Sequence, residues 1–291
     1  KSLIAKMGHF PQAGFNRVEA VAPEYPAEKI LEILPADRSK PYDTYELLKC
    51  IVDAGSMDEY KGKYGKTLIT TYARIDGWSV GIIANQRLVV KSKKGEMQFG
   101  GVIYSDSADK AARFIMNCNQ KRIPLLFLQD VTGFMVGSRS EHGGIIKDGA
   151  KLVSAVANSV VPKFTFIVGN SYGAGNYALC GKAYDPRLIY AWHTSQLAVM
   201  GGAQAANTLL QIQVAALKKK GETIDPEVEA KLLKEITDRY NSQLSPYYAA
   251  SRLWVDGIIH PAETRKIVSQ GIEIANQNPE IPPFKVGVIQ T

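Results

Sequence analysis

The chain has 291 residues, 45% of them hydrophobic, which is enough for one large domain or two small domains with buried cores. Charged residues make up 22%, a fraction that excludes extensive disorder. The net charge of +7 is scattered rather than clustered, so no nucleic-acid partner is predicted. No apolar run reaches the roughly 20 residues of a membrane-spanning helix, so no membrane partner is predicted either.

The cysteines and histidines lack the spacing of a metal site. Cys50, Cys118 and Cys180 stand far apart with no CxxC pair, and the four histidines never occur as HxxxH. We therefore expect no metal in this chain and no disulfide framework. Free cysteines are typical of a reducing compartment, which predicts the cytoplasm or, in a eukaryote, the mitochondrial matrix.

The first 41 residues differ in composition from the rest. Five prolines among polar residues predict an extended connector, with one helix over Ala27–Leu34. Because the chain opens on Lys1 rather than Met, we expect this connector to follow another domain. Residues 42–291 are expected to form the folded domain.

The folded part begins with a helix over Asp43–Asp53 and a hairpin. Leu68–Ile75 and Ser79–Ala84 are short β-type runs, and Asp76-Gly77 between them is a strong signal for a tight turn.

Helices and buried strands then alternate. Helices are predicted over Ala108–Gln120 and Ile145–Ser159, and apolar strands over Pro124–Gln129, Lys163–Val168 and Leu188–Ala191. Strands that are apolar throughout and alternate with helices predict an α/β fold whose sheet is covered on at least one face.

Two of these units repeat each other. Ile123–Leu128 and Val161–Phe166 have the same form, and each strand runs into a glycine turn, Asp130–Phe134 and Gly169–Gly175. A helix is expected after each turn, the second beginning near Ala178. The repeat therefore predicts two helix N-termini at one edge of the sheet.

The C-terminal third is predicted to be helical. A glycine pair and small residues lead into the first helix, and a proline-rich tail follows the last one. The predicted helices are Ala203–Lys218, Pro226–Asn241, Pro246–Trp254 and Ala262–Gln277, and the tail is Pro279–Thr291.

Glycine turns before a helix can stabilise negative charge. The first amides of a helix have no acceptor within it, and glycine keeps side chains away from them. Such donors suit a thioester enolate or a urea oxygen, and one donor can lower a barrier by about 3 kcal/mol. A single glycine turn usually serves only to turn the chain, but two parallel turns at one sheet edge favour a donor site.

Two other sites fit the motifs less well. Gly169–Gly173 matches the GxSxG pattern of serine hydrolases, and Asp256 and His260 follow Ser171 in triad order. The acid and base of a triad normally come from separate loops, whereas these two stand four residues apart. This spacing argues against a serine hydrolase. Gly62–Thr67 has two residues between its glycines where a phosphate-binding P-loop needs four.

Four ordered motifs resemble the biotin-dependent acyl-CoA carboxyltransferase family. They are Gln129–Gly137, Gly144–Lys151, Gly169–Tyr177 and Met200–Asn207, and the resemblance covers nearly all of residues 41–291. The forms Thr-Gly-Phe-Met-Val-Gly and Tyr-Gly-Ala-Gly-Asn-Tyr are most similar to the methylcrotonyl-CoA carboxylase β branch.

The resemblance implies a crotonase-like ββα superhelix that occurs twice in a full subunit. This chain is similar to the second copy, so residues 42–291 would be the C-terminal carboxyltransferase domain and residues 1–41 the connector from an N-terminal domain that is missing here. Implied partners are acyl-CoA, the N-terminal carboxyltransferase domain, a biotinylated carrier or biotin carboxylase subunit, and further copies of the chain, usually in a hexamer. Biotin would be carried by a separate domain or subunit.

The resemblance also implies roles for residues of both glycine turns. The backbone amides of Ala174 and Gly175 would hold the biotin urea oxygen as it gains negative charge. Tyr177 stands where the family tunes acyl selectivity. The other residues expected at the biotin and substrate site are Gly133, Phe134, Met135, Tyr172 and Gly173.

The reaction implied is carboxyl transfer from carboxybiotin to a short or branched acyl-CoA. We expect no transfer without the N-terminal domain, which would hold the thioester. Two alternatives remain open at this point. One is a biotin-dependent decarboxylase of the same architecture, and the other is a non-catalytic scaffold subunit of a carboxylase.

Overall fold

A computed structural model describes residues 1–2, 6, 11–38, 40–219 and 225–287, and a large mixed sheet organises them. The helices are α1 (Ile30–Ile33), α2 (Thr44–Leu48), α3 (Ser105–Gln120), α4 (Ser138–His142), α5 (Ile145–Ala157), α6 (Gly173–Ala178), α7 (Gly202–Lys219), α8 (Pro226–Ser242), α9 (Pro246–Ser251) and α10 (Thr264–Asn276). The strands are β1 (Asp58–Glu59), β2 (Leu68–Ile75), β3 (Trp78–Asn85), β4 (Val90–Lys91), β5 (Met97–Gln98), β6 (Val102–Ile103), β7 (Leu125–Val131), β8 (Gly133–Phe134), β9 (Lys163–Tyr172), β10 (Leu188–Trp192), β11 (Gln196–Ala198) and β12 (Gly257–Ile259).

The large sheet has the strand order β1-β2-β3-β7-β9-β10-β12. The first three strands are antiparallel, and β3, β7, β9, β10 and β12 run parallel to one another. Strand β11 pairs with the last three residues of β9, beyond the part that pairs with β10. Two small ladders, β4 with β5 and β6 with β8, lie outside this sheet.

The predicted hairpin of β2 and β3 is confirmed. Ile75 pairs with Trp78, and the two turn residues, Asp76 and Gly77, both have positive φ, 54° and 79°. A Cβ on Gly77 would lie 2.0 Å from the carbonyl oxygen of Val18, so the N-terminal segment also requires glycine here.

Two apolar layers cover the sheet, one on each face. On one face α3 and α5 bury Phe114 and Leu152 against Phe127. On the other face α1, α2 and α10 pack around a cluster that includes Phe164 and Phe166. Every residue of β7 is buried, as expected for a central parallel strand with both faces covered.

Several predicted elements differ from the structure. The helix predicted over Asp43–Asp53 ends at Leu48, and Asp53 instead accepts hydrogen bonds from the backbone amides of Asp76 and Gly77. The helix predicted over Pro246–Trp254 ends at Ser251. The predicted stop of α7 at residues 220–221 lies outside the described residues.

The two glycine turns are also not equivalent. The first turn ends in strand β8, which pairs with β6, and the next helix, α4, begins only at Ser138. The second is followed at once by α6, which begins at Gly173 rather than near Ala178. Strand β9 extends to Tyr172 because its last residues pair with β11, a partner that local sequence does not reveal.

Among the described helices, none is both long enough and apolar enough to cross a membrane.

Lys110 on α3 is fully buried, and its Nζ has no hydrogen-bond partner among the described residues. Burial lowers the pKa of Lys110 from 10.5 to about 8. Between these two values the unfolded chain binds more protons than the folded chain, so this group makes the protein more stable as pH rises.

We expect Lys110→Met to raise the free energy of unfolding at pH 7 by on the order of 3 kcal/mol, because it removes a buried charge without a partner. The gain should shrink between pH 8 and pH 10.5. Urea denaturation across this range measures it, with exposed Lys94→Met as the matched control. A gain that does not change with pH would show that the charge is not its source.

Candidate active site

The centre of the site is the turn from β9 into α6. Gly173 has φ +51°, and a Cβ there would lie 2.7 Å from the carbonyl oxygen of Val199. Glycine is therefore required at this position for two reasons: the backbone is left-handed, and the segment after β11 approaches closely.

The first turn of α6 presents backbone amides as donors. The amides of Ala174 and Gly175 precede any acceptor inside the helix, and no hydrogen bond among the described residues has either of them as donor. Ala174 is exposed, whereas Gly175 is buried. The positive end of the helix dipole adds to the attraction for a negatively charged oxygen.

The two glycine turns meet at Gly175. A Cβ on Gly175 would lie 2.5 Å from Cγ2 of Val131 and 3.4 Å from Cα of Gly133. The start of α6 therefore packs directly on the first glycine turn. The prediction of two helix N-termini at this edge is wrong, because the first turn continues into β8 and only the second leads directly into a helix.

A buried amide network fixes the donor turn from behind. The Ser171 hydroxyl donates to Oε1 of Gln129 at 2.6 Å and accepts from Nδ2 of Asn176 at 2.7 Å. Nε2 of Gln129 donates to the carbonyl oxygen of Leu179 at 2.7 Å. These bonds connect β7 and β9 with the second half of α6, so the helix is held in place before any ligand binds.

The same network argues against a serine nucleophile. Ser171 is 1% exposed, and its hydroxyl is engaged with two amide side chains. Asp256 accepts from the amide of Ile189, and the His260 side chain accepts from the amide of Ala262 at the start of a short helix. The three residues of the hydrolase alternative therefore serve separate structural contacts.

A second polar hub lies at the irregularity between β7 and β9. The Asp130 carboxylate is 5% exposed and accepts from the Tyr42 hydroxyl at 2.9 Å and the Asn170 amide at 2.8 Å. Nε of Arg87 lies 3.3 Å from the same carboxylate. Burial, and then the charge of Asp130, raises the pKa of Tyr42 well above 10. A Cβ on Gly169 would lie 2.3 Å from Cγ of Asp130, so glycine makes room for the hub.

A cavity of about 680 Å³ opens beside the donor turn. Its walls come from α6, from the segment around β11, and from α8 and α9, and most of them are apolar. Lys182 is the charged residue among those that line it, with Nζ 2.6 Å from Oδ1 of Asp256. The apolar and aromatic residues of the lining are Ile189, Leu197, Val199, Leu244, Tyr177, Tyr240, Tyr248 and Trp254.

The residues predicted from sequence fall into two groups. Gly173, Ala174 and Tyr177 line the cavity. Gly175 is buried, lies outside the lining and contacts Gly133.

The other three predicted residues lie outside the cavity lining. Phe134 packs on Gly149, and the Met135 amide donates to the carbonyl oxygen of Ile103. The Tyr172 hydroxyl lies 2.8 Å from Oε1 of Gln196. Their place in the site stays a prediction.

Sequence patterns did not indicate the far wall of the cavity. Tyr240 on α8 reaches across to the β11 segment, where its hydroxyl bonds both the amide and the carbonyl oxygen of Met200. Tyr248 and Trp254 stack edge to face with ring centroids 5.9 Å apart. These residues carry no sequence motif, so only their position identifies them.

Within the described ranges, no group of three or more His, Cys, Asp or Glu side chains could hold a metal ion.

Comparisons with known proteins agree with this geometry. A family model described as the carboxyl transferase domain matches residues 5–289. A Mycobacterium tuberculosis protein named biotin-dependent 3-methylcrotonyl-coenzyme A carboxylase beta1 subunit is 44% identical over 279 residues, which cover 96% of this chain and 50% of that protein. The crystal structure of the geranyl-CoA carboxylase beta subunit of P. aeruginosa matches with a TM-score of 0.80 and 36% identity, covering 100% of this chain and 52% of that one.

A second solved structure is described as transcarboxylase 12S, with hexamer assembly and hydrolyzed methylmalonyl-coenzyme A bound. It matches with a TM-score of 0.78 and 34% identity, covering 96% of this chain and 50% of that one.

The chain belongs to the carboxyl transferase domain family. Its relatives include methylcrotonyl-CoA carboxylase β subunits, which confirms the predicted family and branch. The predicted α/β, crotonase-like fold is confirmed by the match to carboxyltransferase structures. The chain spans about half the length of the curated relatives it matches.

Gly175→Ala should push α6 away from the first glycine turn, because the new methyl group would overlap Val131. We expect a loss of about 1–3 kcal/mol in the free energy of unfolding. Chemical denaturation measures this loss. Most of it should be recovered in the double variant Gly175→Ala, Val131→Ala, relative to Val131→Ala alone. Additive losses would show that the two residues are not in contact.

Proposed function

We propose that this chain supplies the biotin-side half of an acyl-CoA carboxyltransferase, which moves a carboxyl group from carboxybiotin to an acyl-CoA. The observation that carries the proposal is the pair of unoccupied amide donors, Ala174 and Gly175, at the positive end of α6 beside an apolar cavity. Because the chain spans about half of its relatives, the thioester-binding half is assigned to an N-terminal domain, supplied by the same polypeptide or by a partner.

The donor turn suits a neutral urea that becomes negatively charged. Carboxybiotin, when bound, supplies the carboxyl group and then the base that removes a proton from the thioester. The amides of Ala174 and Gly175 stabilise the charge that develops on an acceptor oxygen. The apolar walls exclude water and strengthen these hydrogen bonds.

The cavity lining supports a reaction without a side-chain base. No His, Asp or Glu occurs among the described residues that line it, and Lys182 is paired with Asp256. The lining is therefore compatible with a proton acceptor that enters with the ligand, as biotin on a separate carrier would. The charge of Lys182 is balanced by Asp256, so the attraction for a developing negative charge is assigned to the start of α6.

The partners proposed are acyl-CoA, the N-terminal carboxyltransferase domain, and a biotinylated carrier or biotin carboxylase subunit. The names of the relatives support a short or branched, methylcrotonyl-like acyl group. A homo-oligomer, most simply a hexamer, is supported by the hexamer assembly of the transcarboxylase 12S structure. The three cysteines are free and buried, which supports a reducing compartment, the cytoplasm or the mitochondrial matrix.

Ala174→Phe should abolish carboxyl transfer and spare the fold. Ala174 is exposed at the mouth of the cavity, so a bulky side chain blocks the approach to both amides without entering the core. We expect a loss of about 10²–10³-fold in kcat/KM, comparable to the loss of one oxyanion donor. The assay uses the chain assembled with its N-terminal domain and biotinylated carrier, and thermal melting reports on the fold.

Ala174→Ser is the matched control, since it keeps a small side chain and both amides. It should retain most of the activity. Full activity in Ala174→Phe would remove the turn from the mechanism. A wild-type assembly that transfers no carboxyl group to any acyl-CoA would overturn the proposed function itself.

A further inference from the structure

The last turn of α8 is tied back to the segment that follows β11. The Tyr240 hydroxyl donates to the carbonyl oxygen of Met200 at 3.0 Å and accepts from the Met200 amide at 3.3 Å. We propose that Tyr240 is a positioning residue, which holds the donor turn of α6 through the peptide between Val199 and Met200. The inference rests on the proposed function, because this turn is the one assigned there to the biotin urea oxygen.

One rigid peptide group connects Tyr240 with Gly173. The amide hydrogen of Met200 and the carbonyl oxygen of Val199 belong to the same planar trans peptide, so they point in opposite directions. The amide is bonded to Tyr240, and the carbonyl oxygen lies 2.7 Å from the place of a Cβ on Gly173. A hydrogen bond at one edge of this plane therefore fixes the atom at its other edge.

The carbonyl oxygen of Val199 lies close against the donor turn. Gly173 has a left-handed backbone, and Ala174, whose amide is a proposed donor, is the next residue. A rotation of the Val199–Met200 peptide would either press its oxygen into Gly173 or leave a gap beside it. Either change alters the backbone that sets the direction of the Ala174 amide.

Two further contacts hold the same segment near the end of α8. The amide of Leu197 donates to the carbonyl oxygen of Leu244 at 3.0 Å. A Cβ on Gly202 would lie 2.4 Å from Oδ1 of Asn241, so the start of α7 is also close to this end of α8. The Tyr240 hydroxyl differs from these contacts because it bonds both backbone groups of one residue, and a single substitution removes it.

The expected consequence for the reaction falls on the chemical step. A donor stabilises a developing charge only if it is oriented before that charge appears. Without the Tyr240 hydroxyl, the Val199–Met200 peptide can rotate, and the Ala174 amide then takes directions that do not meet the urea oxygen. Acyl-CoA is assigned to the N-terminal domain, so its binding in the ground state should not change.

The first test needs no ligand and no active enzyme. It compares amide NMR spectra of the isotopically labelled 291-residue chain with those of Tyr240→Phe, which removes the hydroxyl and keeps the ring. The matched control is Tyr247→Phe on α9, whose side chain is 66% exposed and lies outside the cavity lining. In Tyr240→Phe the signals of Gly173 and Ala174 should shift or broaden more than in the control.

A measurement on the unmodified chain does not depend on how the variant folds. Because the Met200 amide donates to Tyr240, its hydrogen exchange should be at least about tenfold slower than that of an unprotected peptide amide. Exchange at the unprotected rate would refute the inference, since the contact on which it depends would then be absent.

The second test is the steady-state kinetics of the chain assembled with its N-terminal domain and biotinylated carrier. Tyr240→Phe should lower kcat about tenfold and change the KM for acyl-CoA by less than about twofold. Tyr247→Phe should leave both constants unchanged. A higher KM with unchanged kcat would contradict the positioning role, because it would show that the hydroxyl serves ligand binding.

The spectra separate positioning from stability. If the melting temperature of Tyr240→Phe falls while the signals of Gly173 and Ala174 stay in their wild-type positions, Tyr240 serves stability alone and the inference is wrong. A wild-type assembly that transfers no carboxyl group would count against the proposed function. The spectra of the free chain would still decide whether Tyr240 holds the turn.

Discussion

The pairing of β7 with β9, and the irregularity within it, determines where the other parts of the site lie. Gln129 pairs with Ile167, but Val131 pairs with Ser171, so β9 carries extra residues opposite Asp130. The Asp130 carboxylate accepts a hydrogen bond from the backbone amide of Asn170, and the side chain of Gln129 accepts one from the hydroxyl of the next residue, Ser171. Removing one partner of such a buried charged hub typically costs about 3–5 kcal/mol, so the strand has little freedom to adopt another register.

The function proposed for the chain depends on this rigidity. An oxyanion donor acts only if it is already oriented when the charge appears, since reorganising it would consume the stabilisation it offers. Asn176 on α6 donates a hydrogen bond to Ser171, which in turn donates to Gln129, so α6 is attached to β9 and β7. Gly175 lets α6 pack against Val131. The donor amides are thus held by β7 and β9, the best-buried strands of the sheet.

Local signals in the sequence were sufficient for the hairpin, the alternating helices and strands, and the two glycine turns. Asp76-Gly77 requires positive φ, and apolar runs such as Leu125–Leu128 are buried wherever a sheet is covered on both faces. The same local logic predicts bare donors at the glycine turns, because glycines at a helix start leave amides without an acceptor, but the choice of the Ala174 and Gly175 amides came from the family resemblance. The four motifs together were also specific enough to identify the family.

What the tertiary structure decided depends on contacts between residues far apart in the chain. Ser171 is bonded to a residue 42 positions away, and this contact makes it a brace and not a nucleophile. Tyr240 meets Met200 across 40 positions, and that contact closes the cavity. The extension of β9 by β11 likewise moved the start of α6 to Gly173. Hydrogen bonds and packing of this kind arise only when the chain has folded, so the glycine turns could be found from the sequence but the cavity beside them could not.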